Sequence, residues 1–543
     1  MSIHPLVNKI LTDRGVLNIK KFLQPSLKDL SDPLNIIPQS AGKLITDTIN
    51  QNNKIYIYGD YDVDGVCSTA LLVNFFKELG FRNYQTFIPS RYENGYGLTT
   101  DTARQMAEDG AELVITVDCG ITSVEEVEYL KSHNIKVIIT DHHLPKDGLP
   151  EADFIVNPKI NSKRKNEPDY NLCGCGVIFK LLQVIRRIMN RKDINLKKYL
   201  DLVGLATVAD IVPLTGDNRI LVKYGLDVIN NTPSPGIEAL VKICRLKDKK
   251  IKSYHHGFVL GPRINASGRI DVADTALELL TGDNYANNLK LAEELDSKNK
   301  DRQDLCEITF NEALNIIEKN NYGNNKVIVL YQPHWVKGII GIVASRIMEK
   351  YYRPVILFSG DDNKHKNGIT GSARSIDGID MFKILSKLDS DSPGLLEKFG
   401  GHTKAAGLSV TRKNIDKFRN NINEIVCSEY EEELFIKRNG YDLDVTVDDL
   451  DVNLANALEL LEPFGEGNKK PVFRIKEPAI ENQRIIGKNG EHLMFELRNA
   501  NGKKVRGIRF NSAKSEINPE QLFGYVECNR YNGSEYCQVK IIS

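Results

Sequence analysis

Over the first third of the chain, short runs of consecutive β-branched residues alternate with longer stretches whose apolar positions recur every three or four residues. Residues 54–59 (KIYIYG), 112–117 (ELVITV), 136–140 (KVIIT) and 154–156 read as buried strands, and residues 65–80 and 123–133 as helices. Strand alternating with helix predicts a parallel sheet with helices on its faces, and such sheets bind ligands beyond the carboxyl ends of their strands. From residue 175 to about 246 the spacing is mostly helical, and residues 275–318 form a long, charged, amphipathic stretch expected to connect domains. A turn-rich break at residues 320–325 (NNYGNN) follows. Strands are expected at 327–331, 354–358 and 368–372, with helices at 338–350 and 379–388, so a second, smaller α/β domain begins there. After about Tyr430 the pattern changes to short strands separated by Asn489-Gly490, Asn501-Gly502 and Asn532-Gly533, the turn signals of a small β-barrel. The expected organisation is an N-terminal extension (1–53), a parallel-sheet domain (54–215), a helical connector (216–320), a smaller α/β domain (321–430) and a barrel (431–543).

Composition narrows the class. At 543 residues the chain is too long for one hydrophobic core, and 41% hydrophobic with 27% charged residues is an ordinary folded composition. No apolar run approaches the roughly 20 residues that span a bilayer, and the first residues lack the pattern of a secretion signal, so a cytoplasmic protein is expected. The nine cysteines are scattered, as expected of reduced thiols. Cys173 and Cys175, in LCGCGVIF, read as small residues at a tight helix entry and not as zinc ligands. Basic and acidic residues balance at 72 each, which removes any overall basic signature of a nucleic-acid binder. Residues 463–543, however, hold 14 basic and 9 acidic residues, a net of +5, so binding charge can still be concentrated in the barrel.

The chemistry lies just past the expected strands. KIYIYG runs into GDYDVDG, placing Asp60, Asp62 and Asp64 at alternate positions; ELVITV runs into Asp118; KVIIT runs into Asp141, His142 and His143. Three strands thus deliver carboxylates and imidazoles to one edge of one sheet, and carboxylates so close repel each other unless a cation sits among them. Asp210 ends the apolar helical run LVGLATVADIVPL, where an acid is seldom left without a partner. Oxygen ligands with one imidazole suit manganese or magnesium, and several carboxylates allow one to bridge two ions. The expected assignment gives Asp62 and Asp64 one ion each, Asp118 as the bridge, and His142 and Asp210 as further ligands of the second ion; Asp60 is an additional candidate. His143, with Asp141 beside it, is the expected catalytic group, contacting phosphate or aiding proton transfer; its alternative role is to orient His142 or Asp141. A solvated acidic turn is the alternative reading of GDYDVDG taken alone.

In order along the chain, GDYDVDG, VDCG, TDHH and VADIVPL resemble the motifs of the DHH phosphoesterase superfamily. Within it, NGYGL (94–98), GPRINASGR (261–269), GIIGIVASR (338–346), GSARS (371–375), FGGHTKAAG (399–407) and LEPFGEGN (461–468) resemble the RecJ family of exonucleases, and the match extends over nearly the whole chain. The resemblance implies a 5′-to-3′ exonuclease specific for single-stranded DNA, acting in repair and recombination, with two manganese or magnesium ions. It further implies a DHH-associated domain, an OB-fold, and a single-stranded-DNA-binding protein and a helicase as partners. Two departures stand out: Tyr58 occupies a position where relatives carry a histidine ligand, and Val336 follows Trp335 where many relatives have histidine. Hydrolysis of short RNA oligonucleotides or cyclic dinucleotides uses the same ligands and is an alternative, as is a catalytically inactive replication scaffold.

The later motifs also read as a strand-holding surface. Gly400, Gly401 and the small residues around Arg374 and Ser375 let a backbone approach phosphate beside donors, His402 among them. Arg263, Asn265 and Arg269 offer donors to phosphates, with interdomain contacts as the alternative. In the barrel, Lys503, Lys504, Arg506 and Arg509 alternate with Val505, Ile508 and Phe510, which predicts a basic face over a core.

Overall fold

A computed structural model of the chain describes residues 3–89, 97–145, 148–270, 274–360, 368–437, 440–511, 517–531 and 533–542, without the side chains of residues 269, 270, 521 and 531. The chain divides into two compact units, one of Met1–Leu295 with Asn439–Ser543 and one of Asp296–Arg438.

In the first unit β1 (Ile55–Gly59), β2 (Tyr84–Phe87), β3 (Leu113–Val117), β4 (Lys136–Thr140) and β5 (Phe154–Val156) form a sheet in the order β2-β1-β3-β4-β5, parallel throughout. Every residue of β1 and β3 is buried, because apolar cores cover both faces. The helix Val63–Leu79 follows β1 and stops at Gly80, whose φ of +79° favours glycine. β2 escaped the sequence pattern: YQTF is short, polar in part and only half-buried at a sheet edge.

The expected 275–318 stretch is two helices, Asp274–Thr281 and Tyr285–Lys319, interrupted at Gly282. A β-carbon at Gly282 would lie 2.3 Å from Asn288 Oδ1, so the tight approach at this break requires glycine. In the second unit β6 (Ile328–Gln332), β7 (Val355–Ser359), β8 (Ile369–Arg374), β9 (Lys398–Gly401) and β10 (Ala405–Val410) are ordered β6-β7-β8-β10-β9, with only β6 and β7 parallel.

The C-terminal region is a curled seven-stranded sheet of β11 (Leu443–Val445), β12 (Phe473–Ile475), β13 (Ala479–Ile486), β14 (His492–Arg498), β15 (Lys504–Arg509), β16 (Phe523–Tyr531) and β17 (Ser534–Ile541), in the order β11-β12-β16-β17-β15-β14-β13. Gly490 and Gly502 turn β13 into β14 and β14 into β15 with positive φ. Asn532 lies outside the described residues. Val505 and Ile508 are buried as expected, but Phe510 is 41% exposed. Phe495 of β14 is buried, its ring so close to Gly507 that a β-carbon there would sit 2.3 Å from it.

The N-terminal extension is not a separate appendage. Val7, Ile10 and Leu11 of the helix Pro5–Asp13 share one core with Leu443, Leu454 and Phe473 of the barrel region, and Arg14 pairs with Asp442 at 2.7 Å. Further along, Ser31 donates to Asp217 at 2.6 Å, and Lys180, wholly buried, lies 2.7 Å from Asp217. The barrel and the parallel sheet thus belong to one body, joined by residues ahead of the first strand.

Candidate metal centre

In the first sheet β1 lies between β2 and β3, so the connections leaving β1 and β3 run to opposite sides and open a crevice at their carboxyl ends. Asp60 follows β1, Asp118 follows β3 and Asp141 follows β4, which puts all three at that crevice. Local chemistry shapes each turn. Asp62 Oδ1 accepts from the amides of Asp64 (2.9 Å) and Gly65 (3.2 Å), capping the helix Val63–Leu79. Gly65 is required there, since a β-carbon would stand 2.3 Å from Asp60 O. Asp118 itself holds a φ of +64°, a conformation costing a non-glycine residue about 1 kcal/mol or more. Its amide donates to Thr140 O at 2.9 Å, tying the strained turn to β4.

The side chains converge on His142. Its Nε2 lies 3.1 Å from Asp118 Oδ1, 3.5 Å from Asp210 Oδ2 and 3.8 Å from Asp64 Oδ2. Three sets of potential ligand atoms fall within 4.8 Å of one another: Asp64, His142 and Asp210; Asp60, Asp62 and Asp118; and Asp118, His142 and His143. Among the described residues, neither ring nitrogen of His142, nor Asp118 Oδ1, nor Asp210 Oδ2 has a hydrogen-bond partner, although all are buried. Buried polar atoms left so are costly, and a divalent cation is what hard oxygens and one imidazole in this arrangement fit. The electrostatics agree. Burial, reinforced by neighbouring aspartates, pushes Asp64 up to about 6 and Asp210 up to about 9, and holds Asp118 well above the usual carboxylate range. Burial, with the charges of His143 and Lys159, holds His142 well below its usual value, leaving a neutral imidazole that can ligate.

Two contributors had no legible signal. Asp64 is pinned by the amides of Gly174 (2.6 Å) and Cys175 (2.8 Å) at the start of the helix Gly174–Ile188. A β-carbon at Gly174 would lie 2.7 Å from Asp118 Oδ1, so the small residues of LCGCG serve the site as well as the helix entry. Lys159, on the loop after β5, interacts electrostatically with Asp210, Asp141 and Asp118, while burial lowers its own pKa.

Asp141 has a different role from the other acids. Its Oδ1 accepts from the amides of His142 (2.7 Å) and His143 (3.0 Å) and lies 2.8 Å from His143 Nδ1; its Oδ2 accepts from Ile121 N at 3.0 Å. Burial opposes the charge on Asp141, yet these contacts keep its pKa below the usual value. Burial likewise opposes the charge on His143, but Asp141 outweighs it and raises the imidazole. His143 is thus a partly exposed imidazole held by a buried carboxylate. At the departure from the expected ligand pattern, the Tyr58 hydroxyl donates to Gly97 O at 2.8 Å and its ring stacks on Phe87, so it fastens a loop. Asn94 to Tyr96 lie outside the described residues.

The GPRINASGR segment packs on the metal-binding turn. Asn265 Oδ1 accepts from Val63 N at 3.0 Å, and a β-carbon at Gly268 would lie 2.7 Å from Tyr61 O. Arg263 donates to Val259 O at 2.7 Å, and the side chain of Arg269 lies outside the described residues. The other candidates belong to the second unit. Arg374 ends β8 and donates to Ser372 Oγ at 3.1 Å, against Gly341, where a β-carbon would meet the guanidinium at 2.8 Å. Ser375 is buried, its hydroxyl donating to Ile379 O. Gly400 and Gly401 end β9 and His402 opens the exposed turn to β10; Gly401 has a φ of +147° and His402 N donates to Ala405 O at 2.8 Å. Val336 caps the helix Lys337–Tyr351.

Comparison with known proteins accounts for most of this architecture. Residues 54–207 match the DHH family, N-terminal domain, residues 324–428 the DHHA1 domain and residues 441–543 the RecJ OB domain. The single-stranded-DNA-specific exonuclease RecJ of Haemophilus influenzae is 34% identical over 564 residues, covering 100% of this chain and 96% of that protein. That of Bacillus subtilis is 35% identical over 551 residues, covering 100% of this chain and 68% of that protein. The crystal structure of RecJ from Thermus thermophilus in complex with Mn2+ superimposes with a TM-score of 0.83 at 29% identity, covering 100% of this chain and 76% of that one. Its Mg2+ complex gives 0.77 at 28% identity, covering 100% and 74%. Since the similarity extends through all three matched domains and along the whole chain, this chain belongs to the RecJ family.

Proposed function

We propose that this chain is a single-stranded-DNA-specific exonuclease that hydrolyses phosphodiester bonds from a 5′ end, using two divalent ions of manganese or magnesium. The observation that carries the reading is the buried cluster in which Asp118 Oδ1, Asp210 Oδ2 and both ring nitrogens of His142 converge without hydrogen-bond partners among the described residues. In this assignment Asp64, His142 and Asp210 would hold one ion and Asp60 and Asp62 the other, with Asp118 within reach of both sets. When bound, the ions supply charge neutralisation at phosphorus and activation of water.

The chain's own residues do the rest. The amides of Gly174 and Cys175 keep Asp64 in place, and the left-handed turn at Asp118 presents its carboxylate toward His142. Asp141 is a positioning residue: it fixes Nδ1 of His143 as its own donor, so that the Nε2 edge meets phosphate or delivers a proton. Arg374, Gly400, Gly401 and His402 of the second unit are assigned to phosphates, as separately are Arg263 and Arg269 of the first, whereas Ser375, buried and donating to Ile379 O, only supports β8. The nine cysteines are free thiols, which suits the reducing cytoplasm. Strands released by a helicase or covered by a single-stranded-DNA-binding protein are the substrate forms that family membership suggests. Among the described residues no helix is long and apolar enough to cross a membrane.

The test is manganese-dependent digestion of single-stranded, duplex and dinucleotide substrates by the wild type and by Asp118→Ala. Rapid digestion of the single strand from its 5′ end is expected, with a loss of roughly 100-fold or more in the variant. Equal activity of the two proteins, or preference for the dinucleotide, would overturn the reading.

A further inference from the structure

The nine thiols of the chain are free, and two of them meet across one ladder of the barrel. Cys528 of β16 is paired with Cys537 of β17 in antiparallel register, close to the end of the hairpin where Tyr531 faces Ser534. Antiparallel neighbours alternate between two kinds of pair, and the kind decides how near the side chains come. Ile542 N donates to Phe523 O at 3.0 Å, which makes that pair a hydrogen-bonded one. Along β16 residues 525, 527, 529 and 531 then share this character, whereas 524, 526, 528 and 530 do not. Cys528 and Cys537 thus face each other at a non-hydrogen-bonded position, where α-carbons stand about 4.5 Å apart and side chains lie closest. A disulfide needs α-carbons roughly 4.4 to 6.8 Å apart, so the ladder already holds the two residues within bonding reach.

Both side chains point inward, next to the buried pair Val526 and Val539, and pack on the rim of the barrel core. Neither is fully buried, and Cys537 lines a surface depression of about 410 Å3 with Asp451, Glu496 and Tyr536. The other thiols that are not fully buried, Cys244 and Cys427, lie in different units of the chain. Burial raises both barrel thiols, Cys537 to about 12. At Cys528 the nearby Arg530 is the strongest of the charges that oppose burial and favour the thiolate. Arg530 is fixed there by Glu535 at 2.8 Å and Glu459 at 2.9 Å.

We propose that Cys528 and Cys537 form a reversible redox site that closes to a disulfide when a small disulfide of the glutathione class accumulates. The Cys528 thiolate attacks one sulfur of that oxidant, forming a mixed disulfide and expelling one thiolate. Cys537 then attacks the Cys528 sulfur, forming the Sγ–Sγ bond and expelling the second. The protons of the two protein thiols end on the two expelled thiolates, so the protein is oxidised by two electrons and the oxidant reduced by two. Because the ladder holds Cys537 against Cys528, closure outruns attachment of a second oxidant molecule. The bond staples β16 to β17 beneath the helix Val452–Glu459, which packs on both strands. No metal ligand takes part, so the site is independent of the strand-hydrolysis reading.

The test incubates the full-length wild type with oxidised glutathione, blocks the remaining thiols and maps the unreduced digest by mass spectrometry. A peptide joining Cys528 to Cys537 is expected, and dithiothreitol should abolish it. Cys537→Ser is expected to stop at one glutathione on Cys528. Melting gives a second readout. The oxidised wild type should unfold a few degrees above the reduced protein, because the bond restricts the unfolded chain, and neither Cys528→Ser nor Cys537→Ser should show the rise.

Two free thiols at these positions after oxidation overturn the proposal. So does a glutathione on each of them without a link, or a link from either to a different cysteine. All three outcomes are read in the wild type, so a serine variant that folds poorly does not protect the proposal.

Discussion

Three buried acids at the edge of the parallel sheet and several acids of the barrel stand in opposite electrostatic states. In the barrel several acids already have a cation: Arg474 and Lys476 hold Asp444 well below the usual carboxylate range, and Lys504 with Asn482 lowers Glu496. Glu459 meets Arg530 and Lys252, which overcome the burial that would raise it. At the sheet edge Asp64, Asp118 and Asp210 are pushed the other way, by burial first and by each other second. Charged groups taken from water without compensation are too costly to persist as decoration, so the first set is a surface and the second is a receptor for cations.

The sharpest way to break this contrast is Asp118→Asn. Removing one buried carboxyl should lower manganese-dependent hydrolysis by roughly 100- to 1000-fold. The same change should raise the melting temperature of the metal-free protein, because a like charge leaves the cluster. A fall in metal-free stability, measured by calorimetry in chelator, would place Asp118 among the structural acids.

Next in size is the effect of pH on metal binding. Asp64 near 6 and Asp210 near 9 must lose protons when an ion binds, so manganese affinity should weaken by up to about tenfold per pH unit for each proton displaced as pH falls from about 9 to about 6. Stability of the metal-free protein has the opposite sign. A folded-state pKa raised above the unfolded value contributes stability that is fully present below about 3.8 and is lost as pH rises through about 6 and then about 9. Calorimetric titration at several pH values checks the first, and melting in chelator the second.

A smaller effect is expected at Asn265→Ala, which leaves Val63 N without its acceptor beside Asp62 and Asp64. Support of this kind behind metal ligands is worth roughly tenfold or more in affinity, so manganese binding and kcat should fall together while KM for DNA stays unchanged. A change confined to KM would make Asn265 a contact to the strand. The smallest effect belongs to Arg474→Ala in the barrel, where an exposed pair is screened by water and the melting temperature should not move.

Much of this contrast is legible before folding. The β-branched runs that become β1, β3 and β4 end directly on acids, and strand alternation puts those acids at one sheet edge. Tight Asn-Gly turns likewise announce the hairpins of the barrel. Other parts have no local signature. Nothing in LCGCG says that two of its amides hold an aspartate about 110 positions earlier, and GPRINASGR offers donors without revealing that Asn265 grips the turn between Asp62 and Asp64. Phe510 alternates like a core residue, yet it lies just past the end of β15, 41% exposed, with its ring against His492.

Periodicity and residue type by themselves determined most of the strands and helices, though not β2, β9 or β10, that the main sheet is parallel, and that hard-cation ligands gather at its end, since these depend on neighbours a few positions apart. Tertiary structure alone decided that the first helix completes the barrel core, that Asp210 reaches His142, that Gly174 leaves room for the Asp118 carboxylate, and that Tyr254 and Phe258 stay uncovered. Those outcomes depend on close packing between distant segments, where a single β-carbon or hydrogen bond selects the partner.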